Sequence, residues 1–183
     1  MLFIAHLAVA GMLQPTLASA CGFESPQAIA LGSLNMNYPD AVHVLAAVWR
    51  AEDAGVLTPR RGQTTTTGAL AFYRAASGVK ALGADLAGSL ATQPDTAMAI
   101  VLVPQVMWTR FEMGVAGLVI QSHAEGPLDG DLVIVTEEKV VRSLVDGKLG
   151  PAFAEQSGLL RFYGNDRDIE KMRAALAKIG EKN

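Results

Sequence analysis

The sequence predicts an α+β fold in which an antiparallel sheet of about five strands is covered by helices and preceded by a helical N-terminal extension. Apolar residues recur three or four positions apart over residues 22 to about 92, as they do in helices. Residues 95–164 instead contain short apolar or alternating runs between turn residues, which is typical of strands. We therefore expect a signal peptide over residues 1–20, a helical extension and linker over residues 21–67, and an α+β domain over residues 68–183.

The composition is that of a folded protein. Of the 183 residues, 50% are hydrophobic and 18% are charged, which supplies one sizeable core or two small ones. The formal net charge is −3, and basic residues do not cluster beyond Arg60 and Arg61. Because phosphate backbones are bound by clustered basic side chains, we expect no nucleic acid partner.

The N-terminal end is typical of an export signal. The first twenty residues carry no Lys, Arg, Asp or Glu and close on Ala18, Ser19 and Ala20. A short apolar run that ends in small residues predicts a signal peptide, and hence a periplasmic or secreted protein. Signal peptides normally begin with a basic residue, and none is present here, so an ordinary buried helix is the alternative.

Cys21 is the only cysteine, which excludes an internal disulfide and any metal motif built on several cysteines. It would be the first residue after the predicted cleavage. This position makes Cys21 a candidate lipid anchor, and we expect membrane contact only if it is acylated. The alternative is a free thiol capable of intermolecular pairing.

Two helices are predicted before the sheet. Pro39 and Asp40 suit the first turn of a helix that runs through Trp49. Its apolar stripe comprises Val42, Leu45, Ala46 and Trp49. The segment Thr58–Thr67 reads as a loop, and a second helix covers about Gly68–Leu90. Three glycines inside the second helix, Gly78, Gly83 and Gly88, are also compatible with a break.

Four short strands are expected next: Ala97–Val103, Val106–Met113, Gly117–His123 and Asp131–Val135. They are joined by turns rich in Gly, Pro and Asp. Because a parallel pair needs a crossover of about a dozen residues or more, these connections predict antiparallel pairing.

A helical corner follows the fourth strand. Thr136 is the expected N-cap of a helix that ends at Gly147, and Pro151–Gln156 forms a second short helix before a fifth strand at Leu159–Tyr163. Two helices lying over a sheet leave room for an apolar cavity between the layers. The alternative is a solid core, which is the commoner outcome.

Residues 131–165 carry a succession of punctuating residues. They comprise the strand Asp131–Val135, Thr136-Glu137-Glu138, Leu144, Gly147-Lys148-Leu149, Pro151, Ala154, Gly158, the strand Leu159–Tyr163 and Gly164-Asn165. This succession resembles the C-terminal part of the sterol carrier protein domain family, the nonspecific lipid-transfer type. The resemblance implies a hydrophobic tunnel that holds acyl chains, sterols or other apolar molecules.

The helical corner and the sheet together predict an apolar pocket. We expect no cofactor. The candidate lining residues are Phe111, Leu118, Ile120, Val133, Leu144, Phe153 and Leu160. We expect the ligand to be an apolar small molecule or a lipid.

No catalytic set is apparent in the sequence. Beyond the predicted signal peptide the only histidines are His43 and His123, which lie far apart and lack enough partners for a metal site, so no metal is expected. No G-x-S-x-G elbow and no complete phosphate-binding loop occurs. We therefore expect an exported, non-catalytic binding protein. The alternative is an accessory subunit that docks on a larger periplasmic complex through the apolar helices between Asn37 and Leu90.

Overall fold

The computed structural model describes residues 26–59, 69–92 and 97–180. The predicted signal peptide, Cys21 and the threonine run at Thr64–Thr67 lie outside the described residues. In chain order the elements are α1 (Pro26–Asn37), α2 (Ala41–Asp53), α3 (Ala69–Leu90), β1 (Met98–Leu102), β2 (Met107–Gly114), β3 (Gly117–Ser122), β4 (Leu132–Thr136), α4 (Glu138–Val145), α5 (Pro151–Gln156), β5 (Arg161–Tyr163) and α6 (Asp166–Gly180).

The five strands form one sheet in the order β3-β2-β1-β4-β5, which confirms the α+β fold with five strands. Three of the pairings are antiparallel, but β1 and β4 are parallel. The expectation of an entirely antiparallel sheet is therefore wrong at this pair. Residues 103–131, which contain the β2–β3 hairpin and a return segment, provide the long crossover that a parallel pair requires.

Helices cover both faces of the sheet, and strand alternation sorts the side chains between them. The α3 face carries Phe111 and Ile120, which lie against α3 at Gly83. The α2 face carries Trp108 and Tyr163, whose rings both meet the ring of Tyr38 edge-on. Every residue of β1 and β4 is buried, which explains why these central strands read as continuous apolar runs.

α3 is one continuous helix of 22 residues in spite of its three glycines. Gly83 has a packing role, because a Cβ atom there would lie 2.5 Å from Cε1 of Phe111 and 3.1 Å from Cδ1 of Ile120. A Cβ at Gly88 would meet nothing within 4 Å. The glycine at position 83 therefore lets the helix approach the aromatic ring of β2.

α2 buries a different side from the one expected. The buried residues are Ala41, Val44, Ala47, Val48 and Ala51. Trp49 and Val42, which belong to the predicted stripe, are exposed over 60% and 44% of their surfaces. The small alanine side chains allow a close approach to the chain beside the sheet, where the Cβ of Ala47 lies 3.6 Å from the Cβ position of Gly158. This helix has two apolar sides, and it packs through the side that carries the smaller side chains.

The helical corner agrees with the sequence except at its start. Gly147 takes a positive φ of 67°, and Pro151 occupies the first turn of α5, as expected. The N-cap of α4 is Glu137 and not Thr136, because the Glu137 carboxylate accepts a 2.7 Å hydrogen bond from the backbone N–H of Lys139. Thr136 ends β4, and its hydroxyl donates to the carbonyl of Leu159 at 2.9 Å.

An ion pair fixes the return segment before β4. Nε of Arg110 on β2 donates to Asp131 at 2.8 Å, and a second guanidinium nitrogen reaches the other carboxylate oxygen at 3.2 Å. Arg110 also pairs with Glu112. The side chain of Asp131 is only 3% exposed, and it also accepts from the backbone N–H of Leu128 at 2.9 Å. Hydrogen bonds to Asp131 and Glu112 raise the pKa of Arg110, so the guanidinium stays charged.

We expect Gly83→Ala to lower the free energy of unfolding by about 1–2 kcal/mol, because its methyl group would overlap the buried ring of Phe111. Gly88→Ala is the matched control on the same helix. It should raise the free energy of unfolding by about 0.5–1 kcal/mol, since alanine favours the helix and its methyl group would meet no neighbour. Urea unfolding of both variants measures the difference. Equal stabilisation by the two changes would contradict the contact between α3 and Phe111.

Asp131→Ala should lower the free energy of unfolding by about 3 kcal/mol, because it removes the buried partner of Arg110. The control is Glu112→Ala, which removes a half-exposed partner of the same guanidinium and should cost less than about 1 kcal/mol. Chemical denaturation of the two variants checks the order. A cost for Glu112→Ala that matched the cost for Asp131→Ala would contradict a structural role for the buried pair.

Candidate ligand groove

A groove of about 380 Å³ lies where α5, β5 and α6 meet. Its lining residues are Pro151, Ala152, Glu155, Leu160, Phe162, Glu170, Arg173, Ala174, Leu176 and Ala177. Several of these residues are exposed, so the groove opens to solvent. Its volume falls in the lower part of the range of about 300–1,000 Å³ that is typical of small-molecule sites.

The floor of the groove is apolar. Leu160 and Leu176 are each 3% exposed and belong to the main core, and Phe162 of β5 packs against that core. The walls carry the small side chains of Ala174 and Ala177, which lie one turn apart on the exposed side of α6. These alanines leave the space that larger side chains would fill.

The turn after α5 positions the floor. Gly158 adopts a positive φ of 76°, which glycine reaches without steric cost. The backbone N–H groups of Leu159 and Leu160 then both donate to the carbonyl of Ala154, at 2.8 and 3.2 Å. The chain therefore reverses tightly, and Leu160 follows directly beneath α5.

The rim of the groove is charged. Nε of Arg173 on α6 lies 3.1 and 3.0 Å from the two carboxylate oxygens of Glu155 on α5. Another guanidinium nitrogen donates to Glu170 at 2.5 Å. The guanidinium carbon lies 5.8 Å from the centre of the Phe162 ring, within reach of a cation–π interaction. Hydrogen bonds to Glu155 and then Glu170 raise the pKa of Arg173, so its charge is permanent.

The start of α6 is held by a reciprocal cap. The side-chain oxygen of Asn165 accepts from the backbone N–H of Asp168 at 2.9 Å, and its amide donates to the Asp168 carboxylate at 2.6 Å. Nζ of Lys171 lies 3.1 Å from the same carboxylate. These contacts fix the direction in which α6 leaves β5, and thereby the width of the groove.

Of the seven residues predicted to line a pocket, only Leu160 lines this groove. Phe111, Leu118 and Ile120 lie on the α3 face of β2 and β3, away from α5 and α6. Val133 lies on the α2 face, because it pairs with Tyr163 and its side chain alternates with that of Ile134.

The space between the helical corner and its neighbours is filled where Leu144 lies. Leu144 is 3% exposed, and the gap that it bounds with Pro151, Leu176 and Ile179 has no room for a water molecule. Phe153 points outward on α5 and is 47% exposed. The seven predicted residues therefore do not surround one common space.

The sequence signal for the rest of the groove was weak. Nothing in the sequence distinguishes Glu155, Glu170 and Arg173 from ordinary charges on the surface of a helix. The i,i+3 spacing of Ala174 and Ala177 is the one local sign of an open helix side. Their role depends on how α6 packs beside α5.

A second concavity of about 330 Å³ lies between α3 and α6, lined by Ala84, Asp85, Gly88, Ser89, Lys178 and Ile179. None of these described lining residues is aromatic or a leucine. Lys178 faces this concavity and not the groove, so the two openings lie on different sides of α6.

Two of the three histidines, His43 and His123, lie in the described part of the chain, and each contacts one neighbouring side chain. Nδ1 of His43 lies 3.3 Å from the Asp40 carboxylate near the start of α2. His123 stacks on the ring of Phe72, with centroids 3.8 Å apart. Within the part of the chain that the structure describes, no three His, Cys, Asp or Glu side chains come close enough to hold a metal ion. The helices of that part include none with the length and hydropathy needed to cross a bilayer.

No protein-family model matches the chain, and no curated protein matches it. Among solved structures, the chain is similar to sterol carrier protein 2 from Yarrowia lipolytica in its apo form, at 15% sequence identity and with a TM-score of 0.38. The match covers 68% of this chain and 99% of that chain.

The cap of α6 predicts a dependence of stability on pH. The amide of Asn165, followed by Lys171, holds the pKa of Asp168 below its usual value. A lowered pKa in the folded state stabilises the protein above the unfolded value of about 3.9, and this contribution is lost as the pH falls through the folded value. The free energy of unfolding should therefore be higher for the wild type than for Asp168→Asn at pH 7, and the gap should narrow below about pH 4.

Urea unfolding at pH 7, pH 3 and pH 2 measures that gap. Asp166→Asn is the control, because it removes a charge from the same helical turn without breaking the bond to Asn165. It should cost less than Asp168→Asn at pH 7. A gap between wild type and Asp168→Asn that stayed constant down to pH 2 would contradict the assigned role of the carboxylate.

Proposed function

We propose that this protein is a non-catalytic binding protein that holds an apolar or lipid-like molecule in the groove between α5 and α6. The observation that carries the proposal is the combination of an apolar floor at Leu160, Phe162 and Leu176 with walls of small side chains. Burial of apolar ligand surface on such a floor contributes about 25 cal/mol per Å² before the entropic costs of binding. A groove of this size suits one alkyl chain or a small ring system.

The chemistry of the rim favours binding over catalysis. The titratable groups that line the groove are Glu155, Glu170 and Arg173, and the guanidinium bonds to both carboxylates. A general base or nucleophile needs an adjacent partner that activates it. Among the described residues lining the groove, Ser, Thr, Cys, His, Lys and Tyr are all absent, and the acids are engaged with Arg173.

We further propose that the protein acts after export, in the periplasm or outside the cell. The support is the apolar, uncharged run of residues 1–20 that closes on small residues. Acylation of Cys21 would add a membrane anchor to the same proposal.

A second candidate function is that of an accessory subunit. The exposed side of α2 favours it, since Trp49 and Val42 present apolar surface that the fold does not use. Trp49→Glu should then release a partner complex without unfolding the protein. Val115→Glu in the turn between β2 and β3 is the control, because Val115 is fully exposed and lies outside the helices proposed to dock. The measurement is crosslinking in the cell envelope in which the protein naturally occurs. A protein that remains monomeric there, with no crosslinked product of higher mass, would contradict this second function.

Binding is tested by placing a large side chain in the groove. We expect the wild type to bind a neutral hydrophobic dye such as Nile red, or to copurify with a ligand visible by native mass spectrometry. Ala174→Trp should weaken binding at least about tenfold, because the indole would occupy the space above the floor, and tenfold corresponds to about 1.4 kcal/mol.

The matched control is Ala84→Trp, which places the same side chain in the concavity between α3 and α6. It should bind the dye as the wild type does. Circular dichroism melting of both variants checks that the fold is retained. Absence of any bound molecule from the wild type, or unchanged dye affinity in Ala174→Trp, would contradict binding in this groove.

A further inference from the structure

The charges at the groove rim are unbalanced. Glu155 and Glu170 supply two negative charges and Arg173 supplies one positive charge, so the lining carries a net charge of −1. Among the described residues, no other charged side chain lines the groove, and Lys178 of the same helix faces the concavity on the other side. A ligand's head group at this rim therefore meets a net negative charge.

The guanidinium is already committed to these carboxylates. All three of its nitrogens contact them: Nε and one terminal nitrogen bond to Glu155, and the other terminal nitrogen bonds to Glu170. A carboxylate or phosphate head group would have to displace one of these charge-assisted bonds before it could pair with Arg173. It would also stand beside the remaining acid.

The carboxylates can instead accept from a ligand. The side chain of Glu170 is 69% exposed and accepts from Arg173 through one oxygen, and its second oxygen has lone pairs that can accept from another donor. Glu155 is 25% exposed and lies on the α5 side of the same rim. Two acceptor groups therefore border an apolar floor.

From this charge arrangement we infer that the groove selects amphiphiles whose head group donates hydrogen bonds and is not anionic, such as an alcohol or an amine on an alkyl chain. The inference rests on the proposed function, since it specifies which molecule the groove holds. Glu155 and Glu170 are then residues that determine specificity, and Arg173 positions them. Fatty acids and phosphorylated lipids are disfavoured ligands.

A series of three ligands with the same twelve-carbon chain tests the inference at pH 7.5 and fixed ionic strength, below their micelle concentrations. The ligands are monolauroylglycerol, dodecylamine and dodecanoate, each measured by displacement of neutral Nile red. We expect dodecanoate to bind at least about fivefold more weakly than the other two, because one unit of repulsion at about 4 Å in water corresponds to a factor of about five. Equal affinity across the series, or a preference for dodecanoate, would overturn the inference while leaving the proposed function intact.

Two variants separate the rim from the net charge of the protein. Glu155→Gln combined with Glu170→Gln changes the rim from −1 to +1 and should invert the order, so that dodecanoate binds more tightly than dodecylamine. Glu125→Gln combined with Asp129→Asn makes the same change of net charge on an exposed loop away from the groove and should keep the wild-type order. An order that does not change in the first variant would also overturn the inference. Failure of the whole series and of the dye to bind the wild type would overturn the proposed function, and this inference with it.

Discussion

The pairing of Arg110 with Asp131 is the contact on which the arrangement of the sheet depends. The two residues stand on either side of β1, and Ala99 is the residue of β1 that pairs with Arg110 on one side and with Val133 on the other. A methyl group at this position leaves the long guanidinium side chain room to reach the carboxylate. The return segment is thereby held where β4 must begin, and β4 enters beside β1 in the same direction. The corner, β5 and α6 all follow from that entry point.

The aromatic cluster on the α2 face lies near the same pair. Tyr38 lies between Trp108 and Tyr163, and burial, followed by the negative charge of Asp131, raises the pKa of its hydroxyl. The hydroxyl of Tyr163 accepts from the backbone N–H of Asp40 at 3.0 Å, which ties the start of α2 to the edge strand β5. The N-terminal helices are thus joined to the sheet through contacts that are far apart in sequence.

Local features of this chain were predictable from the sequence, and features set by distant contacts were not. The corner was predicted nearly residue by residue, because Gly147, Pro151 and Gly158 act through their own backbone preferences. The parallel pairing of β1 and β4 was missed, since it joins strands that a hairpin separates along the chain. The buried side of α2 was also missed, because periodicity identifies an apolar side but does not decide which of two sides packs more closely. Predicting the groove would have required the position of α6 beside α5, and no single residue of α6 specifies that position.

The resemblance to sterol carrier domains implied a tunnel between helices and sheet. Of the side chains expected to line such a tunnel, Phe111 packs against α3, and the gap beside Leu144 has no room for a water molecule. The available space lies outside that layer, along the exposed alanines of α6. Because this space opens to solvent along α6, the binding that we propose for it would need no movement of the backbone before a molecule enters or leaves. Association at such a groove would therefore not be slowed by a conformational change of the protein.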